Sequence, residues 1–157
     1  MPRHPRWADR VFSRADLDAI VEAVGAAERS TAAEIRVHVE RHFAHGAAKG
    51  ARDAMTRARE VFVALRMHET AHRAGVLIYL ALEAHALAIV GDEGIHARVG
   101  DDYWAAIRDR MVARLRAGAP RAAVVEAVAD VGAVLAREFP RRPDDVDELS
   151  DEVSLGP

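Results

Sequence analysis

Two apolar runs, Val76 to Leu82 and Ala86 to Val90, are separated only by the polar break Glu83-Ala84-His85. Both are too short and too rich in Val, Ile and Tyr for separate helices, so together they predict a β-hairpin. Neither run alternates with polar residues. That predicts strands covered on both faces, the pattern of central strands with helices packed on each side. Upstream, Glu34 to Glu40 alternates strictly, with Ile35, Val37 and Val39 on one face and Glu34, Arg36, His38 and Glu40 on the other. This predicts a strand near a sheet edge, one face incompletely covered and its histidine solvated.

The remaining apolar positions recur at helical spacing. Phe12-Ser13-Arg14-Ala15-Asp16-Leu17 is a helix start, with Ser13 as cap, Asp16 three residues on as capping-box partner and Phe12 stapled to Leu17. The stripe Leu17, Ile20, Val21, Val24 carries this helix to about Glu28. A second helix from Ala47 to Leu65 presents Ala51, Met55, Ala58, Phe62 and Leu65. A third, capped by Asp101 or Asp102, carries Trp104, Ile107, Met111 and Leu115 and stops at Ala117-Gly118. Pro120 suits the first turn of the last helix, whose stripe is Val124, Val128, Val131 and Leu135 and which ends before Pro140. Four long helices and at least three strands make one α/β domain over 12–140, with an arm at 1–11 and an acidic tail at 141–157.

At 157 residues the chain buries a full core unaided, and it has no cysteine. A disulfide framework, thiolate metal sites and thiol catalysis are therefore excluded. Of the 22 basic and 25 acidic side chains, two and six lie in 141–157, which leaves the first 140 residues balanced at 20 and 19. No basic footprint for a phosphate backbone exists, so nucleic acid is not an expected partner. The N-terminus has basic residues but no apolar stretch behind them, and no run reaches the 18 or so apolar residues of a membrane span. The expected location is cytoplasmic, with no direct membrane insertion.

The sharpest motif is His68-Glu69-Thr70-Ala71-His72, a literal match to the zinc-peptidase pattern H-E-x-x-H. Such a site needs both histidines on one helical face, yet a strand begins at Gly75, so a helix-to-strand connection is the better expectation. His38, His42 and His45 form a second candidate metal cluster, with the same weakness once their strand has ended. Asp92 is the more promising carboxylate, because it ends a buried strand, and ligands in open α/β sheets gather beyond carboxyl ends of strands. Asp101, Asp102 and Glu34 could join it around a hard cation such as Ca²⁺ or Mg²⁺. The plainer expectation is that Asp92 caps the turn Glu93 to Ala97 and that Asp101-Asp102 caps the next helix. No nucleophile elbow, P-loop or dinucleotide fingerprint is present. Tyr103 and Trp104 are a candidate ligand platform, although Trp104 lies on an apolar stripe, and Arg73 is a candidate anion-binding group or surface ion pair.

Thr70-x-x-Arg73-x-Gly75-Val76-Leu77-Ile78-Tyr79, then Ala88-Ile89-Val90-Gly91-Asp92-x-Gly94-Ile95, then Trp104, Phe139-Pro140 and the acidic run Asp147 to Glu152 resemble the TPM domain family over about residues 12 to 153. The resemblance implies a three-layer α/β/α sandwich around a small mixed sheet with a central hairpin. It also implies links to acid phosphatase activity, to Ca²⁺ binding by acidic residues, and to assembly or repair of membrane complexes, with Asp92 matching the family motif. Two departures stand out: many relatives are exported or membrane-tethered, and Ala74 occupies a position where relatives often carry Asn. The resulting expectation is a cation-binding accessory domain for a membrane-anchored protein, which needs no cofactor. The rival is a Ca²⁺- or Mg²⁺-influenced phosphatase centred on Asp92, and the zinc peptidase is more remote.

Overall fold

Ser13 caps helix α2 (Arg14–Glu28), which follows a single helical turn, α1 (Arg6–Asp9): its hydroxyl accepts from Asp16 N–H at 3.0 Å, and the Asp16 carboxylate accepts from Ser13 N–H at 2.9 Å. Phe12 and Leu17 on either side of this box are both buried. The computed structural model describes residues 6–42, 51–70, 74–143 and 150–156. After α2 come β1 (Glu34–Glu40), α3 (Ala51–Ala64), a 3₁₀ turn at Met67–Glu69 and the hairpin strands β2 (Gly75–Ala81) and β3 (Ala86–Gly91). The short α4 (Glu93–His96), then α5 (Asp101–Arg116), α6 (Pro120–Glu138) and β4 (Ser154–Leu155) complete the order.

The four strands form one mixed sheet in the order β3-β2-β1-β4. β1 runs parallel to β2 and to β4, while β2 and β3 are antiparallel. Alternation sorts the side chains: Ile35, Val37, Val39, Val76, Ile78, Leu80 and Ile89 share one core with residues of α2, α5 and α6. Leu77, Tyr79 and Ala88 point to the other face and pack under Ala54, Ala58, Val61 and Phe62 of α3. The result is an α/β/α sandwich. On its thicker side α2 and α6 come very close, since a Cβ on Gly132 would lie 2.7 Å from the Ala27 Cβ.

Three expectations need correction. β3 is covered on both faces but is an edge strand among the described residues, so only β2 of the hairpin is central. β1 does lie near a sheet edge, flanked on that side by the two-residue β4, but its polar face is buried: Glu34, His38 and Glu40 are at most 7% exposed. Mutual pairing makes the burial of His38 and Glu40 tolerable, because Glu40 accepts from Arg57 Nε at 3.1 Å and from the Tyr79 hydroxyl at 2.6 Å, and His38 bridges Glu40 and Ser154. Finally, Gly100 is the N-cap of α5, and neither Asp101 nor Asp102 caps it; both sit in the first turn, where their charge suits the helix dipole. The stops are as expected, with Gly118 past the end of α5 at φ 77° and Pro120 opening α6.

Candidate functional site

His68 and Glu69 lie in the 3₁₀ turn rather than on an α-helix, and Thr70 after them is extended at φ −70° and ψ 148°. His72 and Arg73 fall outside the described residues, as does His45. An extended Thr70 breaks the helical face that the zinc-peptidase pattern requires. His68 is exposed, 3.8 Å from Glu69, while Glu69 accepts from Arg66 Nε at 2.7 Å. His38 is not a solvated histidine but a buried member of the Glu40 network. His42 is exposed at the end of β1.

Asp92 caps α4: one carboxylate oxygen accepts from Glu93 N–H at 2.8 Å, and the other is buried without a hydrogen-bond partner. Its N–H donates to Gly75 O, and Glu34 N–H donates to Ala74 O, so Glu34, Gly75 and Asp92 line up across three strands at one end of the sheet. That end is the carboxyl end of β3 but the amino end of the parallel strands β1 and β2, which is not where open parallel sheets gather ligands. Thr70, ahead of β2, is buried, its hydroxyl also without a partner. Asp101 and Asp102 do not join Asp92: both are exposed, with Asp101 3.6 Å from His96. Among the described residues no His, Asp or Glu side chains are grouped in threes so as to hold a metal ion.

Buried acidity gathers instead at Glu28, a residue the apolar stripes leave unmarked as functional. Glu28 continues the stripe of α2 one turn beyond Val24 and is 2% exposed. Glu34 approaches it from β1 and Asp151 from the chain before β4. Burial first, then contact with these two carboxyls, holds the Glu28 carboxyl far above the ordinary carboxylate range. Ionised, neither Glu28 oxygen finds a donor; protonated, Glu28 can hydrogen-bond to Glu34 and Asp151. Burial likewise lowers Arg36 beside them, against the opposing pull of Asp151, Glu152 and Glu28. The one sequence signal was an acid at an i+4 position on an otherwise apolar stripe.

An accessible groove runs along β3. Among the described residues no strand pairs with its outer edge. A cleft of about 540 Å³ lies there, floored by Leu87 to Gly91 and walled by Met55 and Arg59 of α3 and by Trp104 and Arg108 of α5. A second, of about 680 Å³, continues past Leu87 toward the hairpin turn. Because Asp92 N–H bonds to Gly75 O, the antiparallel pairing directs the N–H and C=O of Val90 and Ala88 toward β2. Those of Gly91, Ile89 and Leu87 then face outward. Trp104 is 7% exposed, and its indole N–H has no acceptor. A sheet edge of this kind can accept an added strand.

Comparison with known proteins agrees with this architecture. The family model of the TPM domain matches residues 7–134. The solution structure of the BA42 protein from the psychrophilic bacterium Bizionia argentinensis is 36% identical, covers 92% of this chain and 95% of its own, and superposes with a TM-score of 0.80. The N-terminal domain of a protein from P. gingivalis shares the fold at 22% identity and TM-score 0.60, over 82% of this chain and 79% of that one. The N-terminal domain of the cg2496 protein from Corynebacterium glutamicum does so at 15% identity and TM-score 0.60, over 86% of each chain. No protein of curated function matches. Among the described residues no helix is long and apolar enough to cross a membrane. The match of the family model over most of the length, with the BA42 likeness, shows that this chain belongs to the TPM domain family.

Proposed function

We propose that this TPM domain is an accessory binding module that recognises a protein partner along the open edge of β3. The carrying observation is the outward row of backbone groups at Leu87, Ile89 and Gly91, set in a cleft between α3 and α5. A membrane-anchored protein is the partner class that the family resemblance implies, with the domain itself in the cytoplasm. Photo-crosslinking in cells tests this. A crosslinking residue in place of exposed Arg59 or Arg108 is expected to capture a membrane-fraction protein, and one in place of exposed Glu22 on α2 is not. Equal capture from all three positions, or none from the groove, would contradict the proposal.

A second reading, a cation-assisted phosphatase, is favoured by one observation: the buried Asp92 oxygen without a partner. A Ca²⁺ or Mg²⁺ ion there would stabilise charge on a transferring phosphoryl group. Hydrolysis of p-nitrophenyl phosphate with and without each ion, repeated on Asp92→Asn, decides it. Activity that survives the substitution rules the site out.

A further inference from the structure

We infer that the β3 groove takes an extended, acidic segment of a partner protein, added to the sheet as a fifth strand. This rests on the reading of the β3 edge as the recognition surface and adds the chemistry of what binds there. The two clefts meet at Leu87, so the groove follows the whole of β3. At about 3.3 Å per residue a six-residue strand spans roughly 20 Å, enough to hold a segment of similar length. Its rim carries four exposed guanidinium groups, Arg10, Arg59, Arg108 and Arg116, against the carboxylates Glu93 and Asp101; Asp101 faces His96 at 3.6 Å, and Arg108 lies 3.6 Å from Asp109 beside it on α5. The chain as a whole has a net charge of −3, so the groove is opposite in sign to the rest of the molecule. That arrangement steers an acidic ligand to this edge and away from the remaining surface. The buried Trp104 N–H, which lacks an acceptor, adds a second preference for a partner rich in acceptor oxygens. Alternation along an added strand sends successive side chains toward α3 and α5 in turn, where Arg59 and Arg108 stand.

The test is an NMR titration of the full chain with three seven-residue peptides of pattern Val-X-X-Val-X-X-Val, X being glutamate, serine or lysine, so that X side chains fall on both faces of an added strand. The glutamate peptide is expected to shift the Leu87, Ile89 and Gly91 amides and slow their exchange. Its binding should weaken with added salt and fall on the order of tenfold in the Arg59→Glu, Arg108→Glu double variant, whose exposed positions leave folding intact. Equal binding of the serine peptide at the same amides overturns the acidic preference and leaves the strand-edge reading standing. No response at those amides to any of the three peptides overturns both. Amides already protected in the free protein, together with a dimer in sedimentation, would mean that a second copy occupies the edge, which also overturns the inference.

Discussion

The Tyr79 hydroxyl donates to Glu40 Oε2 at 2.6 Å, reaching from β2 to the last residue of the neighbouring strand. This contact is one member of a closed network in which Arg57 of α3 adds its guanidinium and His38 links Glu40 to Ser154 of β4. Gly156 seals it, since a Cβ there would lie 2.7 Å from Glu40 Cγ. One carboxylate thus joins α3, two strands and the C-terminal segment at the carboxyl end of the parallel strands.

Removing different members of the network should cost different amounts. Tyr79→Phe deletes one bond to a charged acceptor and is expected to lose about 1–3 kcal/mol in urea unfolding. Arg57→Ala removes the guanidinium countercharge from a buried carboxylate and should lose about 3 kcal/mol or more. Equal, small losses would show that the network is not closed as described.

Glu40 also sets an acid limit. Burial alone would raise its carboxyl, but hydrogen bonds from His38, Arg57 and Tyr79 and the charge of Arg57 outweigh it and bring it from 4.5 down to about 2. Its depressed folded value means that its contribution is present above the unfolded value and is lost as pH falls between the two. The stability gap between the native chain and Glu40→Gln should therefore shrink from pH 4.5 toward pH 2, by on the order of 3 kcal/mol. A gap that is constant through this window contradicts the assignment.

Glu28 works with the opposite sign. Its folded value is raised, chiefly by burial and then by Glu34 and Asp151, so stability associated with it is present below the unfolded value of 4.5 and declines as pH rises above it. Glu28→Gln keeps the shape without the charge and should raise stability at pH 7–8 by roughly 1–3 kcal/mol, with the gain vanishing near pH 4.5. Thermal unfolding across pH reads this directly, and destabilisation at neutral pH would show that the carboxylate is paired after all.

Gly132 marks where α6 meets α2. A methyl group there lands 2.7 Å from the Ala27 Cβ, which is fixed to backbone and cannot swing aside. Gly132→Ala should accordingly cost about 1–3 kcal/mol even though alanine is the better helix former. Unchanged or increased stability would mean that the two helices separate without penalty.

The elements were legible in the sequence because local rules govern them. The Ser13-Asp16 box, the Gly118-Pro120 punctuation and the unbroken apolar runs of β2 and β3 each act over a few residues. Strand order is a different matter. Fully apolar β3 and fully apolar β2 look alike along the chain, yet one is an edge and the other central, since that depends on which strand comes next to β2. The alternation of β1 signalled a solvated polar face, and nothing local announced that Arg57 and Tyr79 would arrive to bury Glu40. Asp92 drew attention as the end of a strand. Its place at the amino end of the parallel pair follows only from the antiparallel turn of the hairpin.

Backbone amide exchange in the free protein, measured residue by residue by NMR, bears most directly on the open edge of β3. Leu87, Ile89 and Gly91 should exchange at least about tenfold faster than Ala88 and Val90, whose amides bond to β2. Equal protection of all five would mean that the outer edge is already paired, and the proposed recognition surface would not exist.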